Sequence, residues 1–297
     1  MIDLRSWLFI PGDSEKKLAK ADATGADALI LDLEDSVAPE HKARGRDLVA
    51  GLLGDRPQEA RTSQLWVRIN PLDSGMLLDD LVAVVGAAPD GVMLPKCTGP
   101  ADIAQLSFYL DALEAQAGLA AGSIAILPVA TETAAAPFTL GDYAKVPAAR
   151  LAGLTWGAED LAAALGASTN LDPAGGWALT YRTVRTLTLL GAKAAGVQAI
   201  DTLYVDFRDE AGLRASSRAS RAEGFTGRLA IHPAQVAVIN ESYLPDAEEV
   251  AFAERVVAAF DAAGGAGTVG LDGRMLDIPH LKQARAVLAK AGAYGRF

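Results

Sequence analysis

Several residue types are scarce in this sequence, and each shortage excludes a class of protein. A single cysteine, Cys97, in 297 residues excludes an intramolecular disulfide framework and is typical of a reducing compartment. The longest uncharged stretch, Ala115 to Thr131, is interrupted by glycine, glutamine, serine and proline, so we expect no membrane-spanning helix. The acidic Asp3 and the short apolar run after it do not form a signal peptide. We therefore expect a cytoplasmic protein.

Positive charge is also in short supply. The formal net charge is −10, which argues against a nucleic-acid surface because such surfaces carry clustered basic residues. An anionic ligand would have to be bound by a few local cations, helix N-termini or a metal ion. Half of the residues are hydrophobic, whereas aromatic residues make up only 6%. This composition is typical of small side chains that pack helices tightly against a sheet.

Short apolar runs recur along the chain and predict buried parallel strands, which read as continuous apolar stretches. Helical patterns separate them; one of these, Asp102 to Ala117, places Ile103, Leu106 and Leu110 on one face. Eight strand–helix alternations predict a TIM (β/α)₈ barrel rather than an open sheet. The predicted strands are Ser6 to Pro11, Asp27 to Leu33, Leu65 to Asn70, Gly91 to Lys96, Ile124 to Ala130, Leu151 to Trp156, Val197 to Phe207 and Thr226 to His232.

The barrel pattern is complete near His232, and we place the domain boundary at residues 240/241. Residues 241–297 then form a C-terminal helical extension, with a helix from Asp246 to Ala263, a glycine-rich hinge from Gly264 and a second helix from Pro279. Two interpretations stand side by side. The extension is either a lid that completes the site of a neighbouring subunit, or a packed element joined by a flexible linker.

Acidic residues follow two successive strands at the same end of the predicted barrel. Glu132 ends the run from Ile124, and Asp160 closely follows the run from Leu151. Because polar residues past the strand ends gather at one face of such a barrel, we expect these carboxylates to lie close together. Mg²⁺ takes one or two protein carboxylates and completes its shell with water and substrate. The alternative for each acid is a helix N-cap.

Charged residues also occur at the ends of strands two, three and four. Arg68 lies within the third predicted strand, where a buried guanidinium needs a partner. Glu34 or Asp35 would supply that partner and leave the guanidinium fork to bind a substrate carboxylate. The alternative is a purely structural ion pair. Lys96 adds a cation at the same face, either in the site or on its solvated rim.

Seven short motifs, in order along nearly the whole chain, resemble the citrate lyase beta-subunit-like proteins of the HpcH/HpaI aldolase and citrate lyase superfamily. They begin at Arg5, Leu31, Val67, Leu94, Glu132, Gly157 and Ile231, and read RSxLFxPG, LDLED, VRxN, LPK, ET, GAEDL and IHP. The resemblance implies a TIM barrel that cleaves citryl-, malyl- or citramalyl-CoA to acetyl-CoA and a 2-oxo acid. It also implies a cytoplasmic homo-oligomer, a trimer or hexamer.

The resemblance assigns roles to individual residues. It implies that Glu132 and Asp160 bind Mg²⁺ and that Arg68 binds the carboxylate of the oxo acid. Arg5, Lys17 and Lys96 would lie near the acyl-CoA. The segment from Asp272 to Pro279 resembles the part of related lyases that brings an acid/base aspartate, here Asp277, from an adjacent subunit. The alternative for Asp277 is a structural role, as an acid that stabilises the N-terminus of the helix that follows it.

Three other functions remain open at this stage. A metal-dependent aldolase acting on free 2-oxo-acid aldols is disfavoured, because those relatives place a histidine where this chain has Glu34-Asp35-Ser36. A malyl-CoA thioesterase would use the same activation of the substrate. A non-catalytic or carrier-protein-dependent citrate lyase beta-like subunit is disfavoured because Arg68, Glu132 and Asp160 are all present, together with Asp277.

Overall fold

Eight parallel strands form the central sheet of the protein, as a computed structural model describes it over residues 3–145 and 149–294. Their apolar residues are buried on both faces, most completely in the second strand, Ala28–Asp32, where every residue is inaccessible. In chain order the strands are β1 (Ser6–Pro11), β2 (Ala28–Asp32), β3 (Gln64–Arg68), β4 (Gly91–Leu94), β5 (Ala125–Pro128), β6 (Gly153–Thr155), β7 (Gln198–Asp201) and β8 (Gly227–Ala230).

The sheet closes on itself. Its order is β5-β4-β3-β2-β1-β8-β7-β6, and parallel bridges from Ile126 to Leu151 and from Val129 to Thr155 join the two outer strands. Across this seam the amide of Ala130 donates to the carbonyl of Thr155 at 2.8 Å, and that of Ala152 donates to Ile126 at 3.0 Å. The predicted TIM barrel is therefore confirmed.

Helices follow the strands and surround the barrel. In the first compact unit of the chain, Asp3–Asn240, they are α1 (Glu15–Leu18), α2 (Lys42–Gly54), α3 (Leu77–Val84), α4 (Pro100–Ala117), α5 (Ala158–Leu165), α6 (Leu179–Ala195), α7 (Glu210–Glu223) and α8 (Ala234–Ser242), the last of which ends just beyond Asn240. The predicted strand Val197 to Phe207 is much shorter in the structure. It ends at Asp201, whose side chain accepts a hydrogen bond from the amide of Thr202 at 2.9 Å.

The barrel interior is filled by large apolar side chains. Trp7 on β1 and Trp66 on β3 pack edge to face with ring centroids 5.0 Å apart, and Met93, Leu127 and Ile200 belong to the same cluster. Gly91 is required beside Trp66, because a Cβ at residue 91 would lie 2.2 Å from the indole. This core fixes the strand ends on which the charged residues stand.

The second compact unit begins at Glu241. It contains α9 (Ala247–Ala262), a hairpin of β9 (Thr268–Leu271) and β10 (Arg274–Asp277), and α10 (Ile278–Ala293). Ala253, Val256, Phe260, Leu276 and Leu281 form its own small core. The two-residue turn at Asp272 and Gly273 has positive φ at both positions, as a type I′ hairpin needs. Residues 1–2 and 146–148 of the predicted barrel domain, and residues 295–297 of the extension, lie outside the described residues.

None of the helices within residues 3–145 and 149–294 is both long enough and apolar enough to cross a membrane.

Candidate active site

A cavity opens at the carboxyl ends of the strands, where the chemistry-bearing residues converge. Arg68 at the end of β3, Glu132 after β5 and Asp160 in the first turn of α5 all line it. The structure thus brings together Arg68 of the third predicted strand and the two acids that were expected to follow two successive strands. Its other walls include Phe9, Val129, Trp156, Gly157, Ala158, Glu159, Trp177, Thr202, Leu203, Val205 and Leu229.

Glu132 is the most deeply buried acid that lines this cavity. Its Oε2 accepts a 2.7 Å hydrogen bond from the backbone N–H of Lys96, and its Oε1 packs on Gly157. A Cβ at residue 157 would lie 2.8 Å from Oε1, so any side chain there would displace this carboxylate from its position. Burial raises the pKa of Glu132 to about 8, and the nearby carboxylates of Asp160 and Glu34 add to the shift.

Arg68 is held by acids from the neighbouring strand. Its Nε and Nη2 donate to the two oxygens of Asp32, each at 2.7 Å, and its Nη1 lies 2.9 Å from Glu34 Oε2. Of the two predicted partners, Glu34 is confirmed, whereas Asp35 lies beside Lys96 instead. The main partner, Asp32, was not predicted; it lies directly opposite Arg68 in the β2–β3 register. The guanidinium fork that was expected to be free for substrate therefore binds Asp32.

Lys96 stands between carboxylates rather than on an open rim. Its ammonium group contacts Glu34 Oε1, and it lies 3.4 Å from Asp160 Oδ1 and 3.6 Å from Asp35 Oδ2. These acids raise the pKa of Lys96 above its ordinary value, although burial opposes the shift. The residue adopts a left-handed backbone conformation, with φ of 52°, and its N–H donates to Glu132. Asp35 itself is largely exposed.

Lys42 stabilises the backbone around Glu34 and was not predicted from the sequence. Its buried ammonium donates to the carbonyls of Leu33 and Glu34, both at 2.7 Å, and to Asn70 Oδ1 at 2.9 Å. Asn70 in turn donates to Asp80 at 2.6 Å. Lys42 thereby ties the turn that carries Glu34 to the strand that carries Arg68. A lysine at the start of a helix carries no sequence signal for such a role.

A second cavity, of about 390 Å³, lies beside the end of β1. Lys16, Lys17 and Lys20 from the region of α1 line it together with His232 and with apolar residues of β1. Lys17 is therefore placed in a basic pocket, where an anionic group would be attracted.

Arg5 lies elsewhere. It precedes β1, at the opposite end of the strand, and its guanidinium pairs with Asp27, with two donor distances of 2.8 Å. The expected place of Arg5 near an acyl-CoA is contradicted by this position, because the candidate site lies at the carboxyl ends of the strands. Arg5 instead closes the amino-terminal end of the barrel.

Asp277 belongs to the second unit, where it ends β10 and caps α10. Its backbone N–H donates to Nδ1 of His280 at 3.2 Å, and that ring nitrogen lies 2.5 Å from Asp277 Oδ1. The capping interpretation is thus realised in the structure. The side chain is about half exposed, so Asp277 remains accessible for chemistry. Its acid/base role stays a prediction.

The residues around Glu132 fit a divalent cation. The described residues contain no cluster of three or more histidine, cysteine, aspartate or glutamate side chains arranged for a metal. Mg²⁺ needs fewer, since one or two carboxylates and several waters satisfy it. Glu132 and Asp160 supply hard oxygen ligands. Burial raises the pKa of Glu132, the carboxylates of Asp160 and Glu34 add to the shift, and a cation bound beside Glu132 would oppose it.

Comparison with known proteins agrees with this geometry. The family described as "HpcH/HpaI aldolase/citrate lyase" matches residues 5–233. The chain belongs to the HpcH/HpaI aldolase/citrate lyase family. A second description, a carbon–carbon bond lyase of the TIM-barrel fold, matches residues 194–296 of this family member. Carbon–carbon bond cleavage is therefore the chemistry of the group to which the chain is related.

Individual relatives differ in their named activities. A (3S)-malyl-CoA thioesterase of Cereibacter sphaeroides is 35% identical and covers 99% of this chain and 96% of its own. A mitochondrial citramalyl-CoA lyase of Rattus norvegicus is 36% identical over 97% of this chain and 86% of its own. Among solved structures, CitE of Mycobacterium tuberculosis, in complex with magnesium, acetoacetate and coenzyme A, is 35% identical. The TM-score is 0.79, and 98% of each chain is covered.

Proposed function

We propose that this protein is a Mg²⁺-dependent lyase that cleaves a 3-hydroxy-carboxyacyl-CoA to acetyl-CoA and a 2-oxo acid. The observation that carries the proposal is the convergence of Arg68, Glu132 and Asp160 on one cavity at the carboxyl ends of the barrel strands. Citramalyl-, malyl- and citryl-CoA are the candidate substrates. The relatives that are named for citramalyl-CoA and malyl-CoA support this class.

Glu132 and Asp160 would hold Mg²⁺ in this proposal. The bound ion would act as a Lewis acid toward the hydroxyl and carboxylate oxygens of the substrate. Support comes from the CitE structure, which contains magnesium, and from the position of the Glu132 carboxylate, which lies against Gly157. Lys96 keeps Glu132 in place through its backbone N–H and balances part of the surrounding negative charge.

Arg68 would orient the substrate. Asp32 takes two of its five N–H groups and Glu34 lies against Nη1, so a substrate carboxylate would bind the N–H groups that these two acids leave. A carboxylate fixed there sets the angle of the breaking carbon–carbon bond relative to the thioester, which governs the rate of cleavage. Glu34 and Asp32 hold the guanidinium in place, so they would affect the substrate through the position of Arg68. The basic pocket with Lys17 is suited to the phosphates of the CoA part.

Cleavage also requires proton transfers. The hydroxyl loses its proton, its electrons form the new carbonyl, the carbon–carbon bond breaks, and the thioester enolate takes up a proton to give acetyl-CoA. We assign this exchange to Asp277 of a neighbouring subunit, directly or through a water molecule. The half-exposed position of Asp277 at the end of β10 is compatible with this role. The proposal implies a homo-oligomer, and a trimer or hexamer is our prediction.

A malyl-CoA thioesterase is the second candidate, favoured by the relative of that name in Cereibacter sphaeroides. It would bind the same substrate but release free CoA and malate. The two activities share the binding residues and differ in the bond that breaks. Product analysis therefore distinguishes them directly.

The test is to incubate the protein with L-malyl-, citramalyl- and citryl-CoA, with Mg²⁺ or with EDTA, and to identify the products by mass spectrometry. We expect acetyl-CoA and a 2-oxo acid from at least one thioester, only with Mg²⁺. Asp277→Ala should abolish this release, whereas Asp261→Ala, an exposed acid on α9, should not. Free CoA with malate would establish the thioesterase instead. If no thioester is consumed, the proposal is refuted.

A further inference from the structure

Lys96 contacts both of the acids that the proposed function assigns to the metal, and it uses a different group for each. Its backbone N–H donates to Glu132 Oε2 at 2.7 Å, whereas its ammonium lies 3.4 Å from Asp160 Oδ1. The same ammonium contacts Glu34 and lies 3.6 Å from Asp35 Oδ2. A single residue after β4 thus stands where acids that follow β2, β5 and β6 converge.

Negative charge exceeds positive charge in this group. Its carboxylates are those of Asp32, Glu34, Asp35, Glu132 and Asp160, and within the described parts of the chain the cations that form ion pairs with them are Arg68 and Lys96. Arg68 is committed to Asp32, whose two oxygens accept from its Nε and Nη2 at 2.7 Å each. In residues 3–145 and 149–294, the ion pair of Asp160 is with Lys96 alone. Lys96 is therefore the cation that balances the charge of Asp160.

The two contacts of the ammonium differ in how firmly the acid is held. The Glu34 side chain is 4% exposed, and its Oε2 lies 2.9 Å from Arg68 Nη1, so this carboxylate is fixed on two sides. The Asp160 side chain is 32% exposed, and its distance of 3.4 Å is longer than a charge-assisted hydrogen bond. A lysine ammonium is a point charge on a flexible stem. Lys96 can therefore release Asp160 and keep its contact with Glu34.

A divalent cation held by Glu132 and Asp160 would share the carboxylate that this ammonium contacts. Two cations against one carboxylate repel each other, and the repulsion is less screened by water and salt where the groups are buried. Glu132 is buried, and only a third of the Lys96 side chain is exposed. Each cation therefore lowers the affinity of the site for the other.

We propose that Lys96 competes with the divalent cation for Asp160, so that its charge sets the metal affinity of the site. This inference rests on the metal binding proposed above and adds a residue that regulates it. The ammonium pairs with Asp160 when no metal is bound and withdraws toward Glu34 when one binds. Lys96 is then a positioning residue, which keeps mutually repelling carboxylates together until the metal arrives.

Isothermal titration of Mg²⁺ into the full-length protein, after treatment with EDTA and dialysis, measures this competition without any thioester. We expect Lys96→Met and Lys96→Gln, which remove the charge, to bind Mg²⁺ about tenfold more tightly than the wild type. Lys96→Arg keeps a cation and should stay within about threefold of the wild type. Lys193→Met removes a positive charge at an exposed position of α6 and should also stay within about threefold. Thermal melts establish that each variant is folded.

A double-variant cycle tests whether the effect depends on Asp160. In an Asp160→Asn background, Lys96→Met should no longer strengthen Mg²⁺ binding by more than about threefold, because the shared carboxylate is absent. An undiminished gain there overturns the competition for Asp160. Unchanged or weaker Mg²⁺ binding by folded Lys96→Met and Lys96→Gln overturns it as well, and would show that the ammonium holds the ligands in place for the metal. Absence of Mg²⁺ binding from the wild type and from every Lys96 variant refutes the metal site of the proposed function itself.

Discussion

At the scale of single residues, space for the carboxylate of Glu132 depends on the absence of a side chain at Gly157. The backbone there is extended, with φ of −118°, so glycine is not needed for its conformation. It is needed because a Cβ would lie 2.8 Å from Oε1 and 2.9 Å from Cγ of Glu132. Gly157 therefore shapes the site through the position of the Glu132 side chain.

Gly157→Ala should displace the carboxylate of Glu132 and weaken Mg²⁺ binding at least tenfold, because a ligand oxygen is moved from its place. The measurement is isothermal titration with Mg²⁺, alongside a thermal melt. Gly51→Ala is the matched control, since nothing lies within 4 Å of its added Cβ in α2. An unchanged Mg²⁺ affinity in Gly157→Ala would contradict the assignment of Glu132 as a ligand.

Lys42→Met should destabilise the barrel by about 1–3 kcal/mol, because the buried carbonyl oxygens of Leu33 and Glu34 lose their ammonium donor. It should also lower kcat/KM, since the turn that holds Glu34 against Arg68 loses its support. Urea unfolding and steady-state kinetics measure the two effects. Lys193→Met, at an exposed position of α6, should change the unfolding free energy by less than about 0.5 kcal/mol. Wild-type stability in Lys42→Met would show that the hydrogen bonds are dispensable.

At the scale of elements, one buried ion pair joins α4 to the start of β5 and to the segment before β6. Glu114 accepts from the amides of Gly122 and Ile124 at 2.8 and 2.9 Å, and its carboxylate pairs with Arg150 at 2.6 Å. The Arg150 guanidinium and the two amides lower the pKa of Glu114 to about 2, from an ordinary value of 4.5, although burial opposes this shift.

This shift predicts a pH dependence of stability. Because the pKa of Glu114 is lower in the folded than in the unfolded chain, its contribution is complete above pH 4.5 and is lost as the pH falls toward about 2. Glu114→Gln should therefore be clearly less stable than the wild type at neutral pH, with a difference that shrinks on acidification. Urea unfolding over this pH range measures it, with the exposed Glu59→Gln as control. A constant difference would contradict the assignment.

The elements show which parts of the fold the sequence could predict. All eight strands were found because each is a continuous apolar run, and their ends were misjudged mainly where polar residues follow, as at Asp201. The β9–β10 hairpin was missed, although Asp272-Gly273 is a strong signal for a type I′ turn. The prediction placed a glycine-rich hinge from Gly264 and the next helix from Pro279, and it assigned no strands between them, where the two hairpin strands are only four residues long and mostly exposed.

The candidate site was predictable in composition but not in its contacts. Glu132, Asp160, Arg68 and Lys96 stand at strand ends, which can be read from the chain. The pairing of Arg68 with Asp32 depends on strand register, and the roles of Lys42 and Gly157 depend on side-chain packing between elements far apart in sequence. The prediction for Arg5 failed for a different reason. Arg5 comes just before β1, so it lies at the amino-terminal end of the barrel, whereas the candidate site lies at the carboxyl ends of the strands.

At the scale of the whole molecule, one junction between neighbouring strands of the barrel differs from the others. Seven neighbouring strand pairs share ladders of hydrogen bonds, whereas β5 and β6 meet through isolated bridges. The two proposed metal ligands follow these same two strands, Glu132 after β5 and Asp160 after β6.

Magnesium should therefore slow hydrogen exchange at the seam more than elsewhere in the barrel. The amides to follow are those of Ile126, Ala130 and Ala152, which donate across the seam. Glu132→Gln should lose this protection. Equal protection throughout the barrel, or none at the seam, would contradict the expectation.

An ion bound by Glu132 and Asp160 would cross-link the two edge strands of the sheet and make opening of the seam costlier, because the open form binds it less well. Metal binding and barrel closure would then be thermodynamically linked. The concentration of free Mg²⁺ around the protein would set how often the barrel opens between β5 and β6.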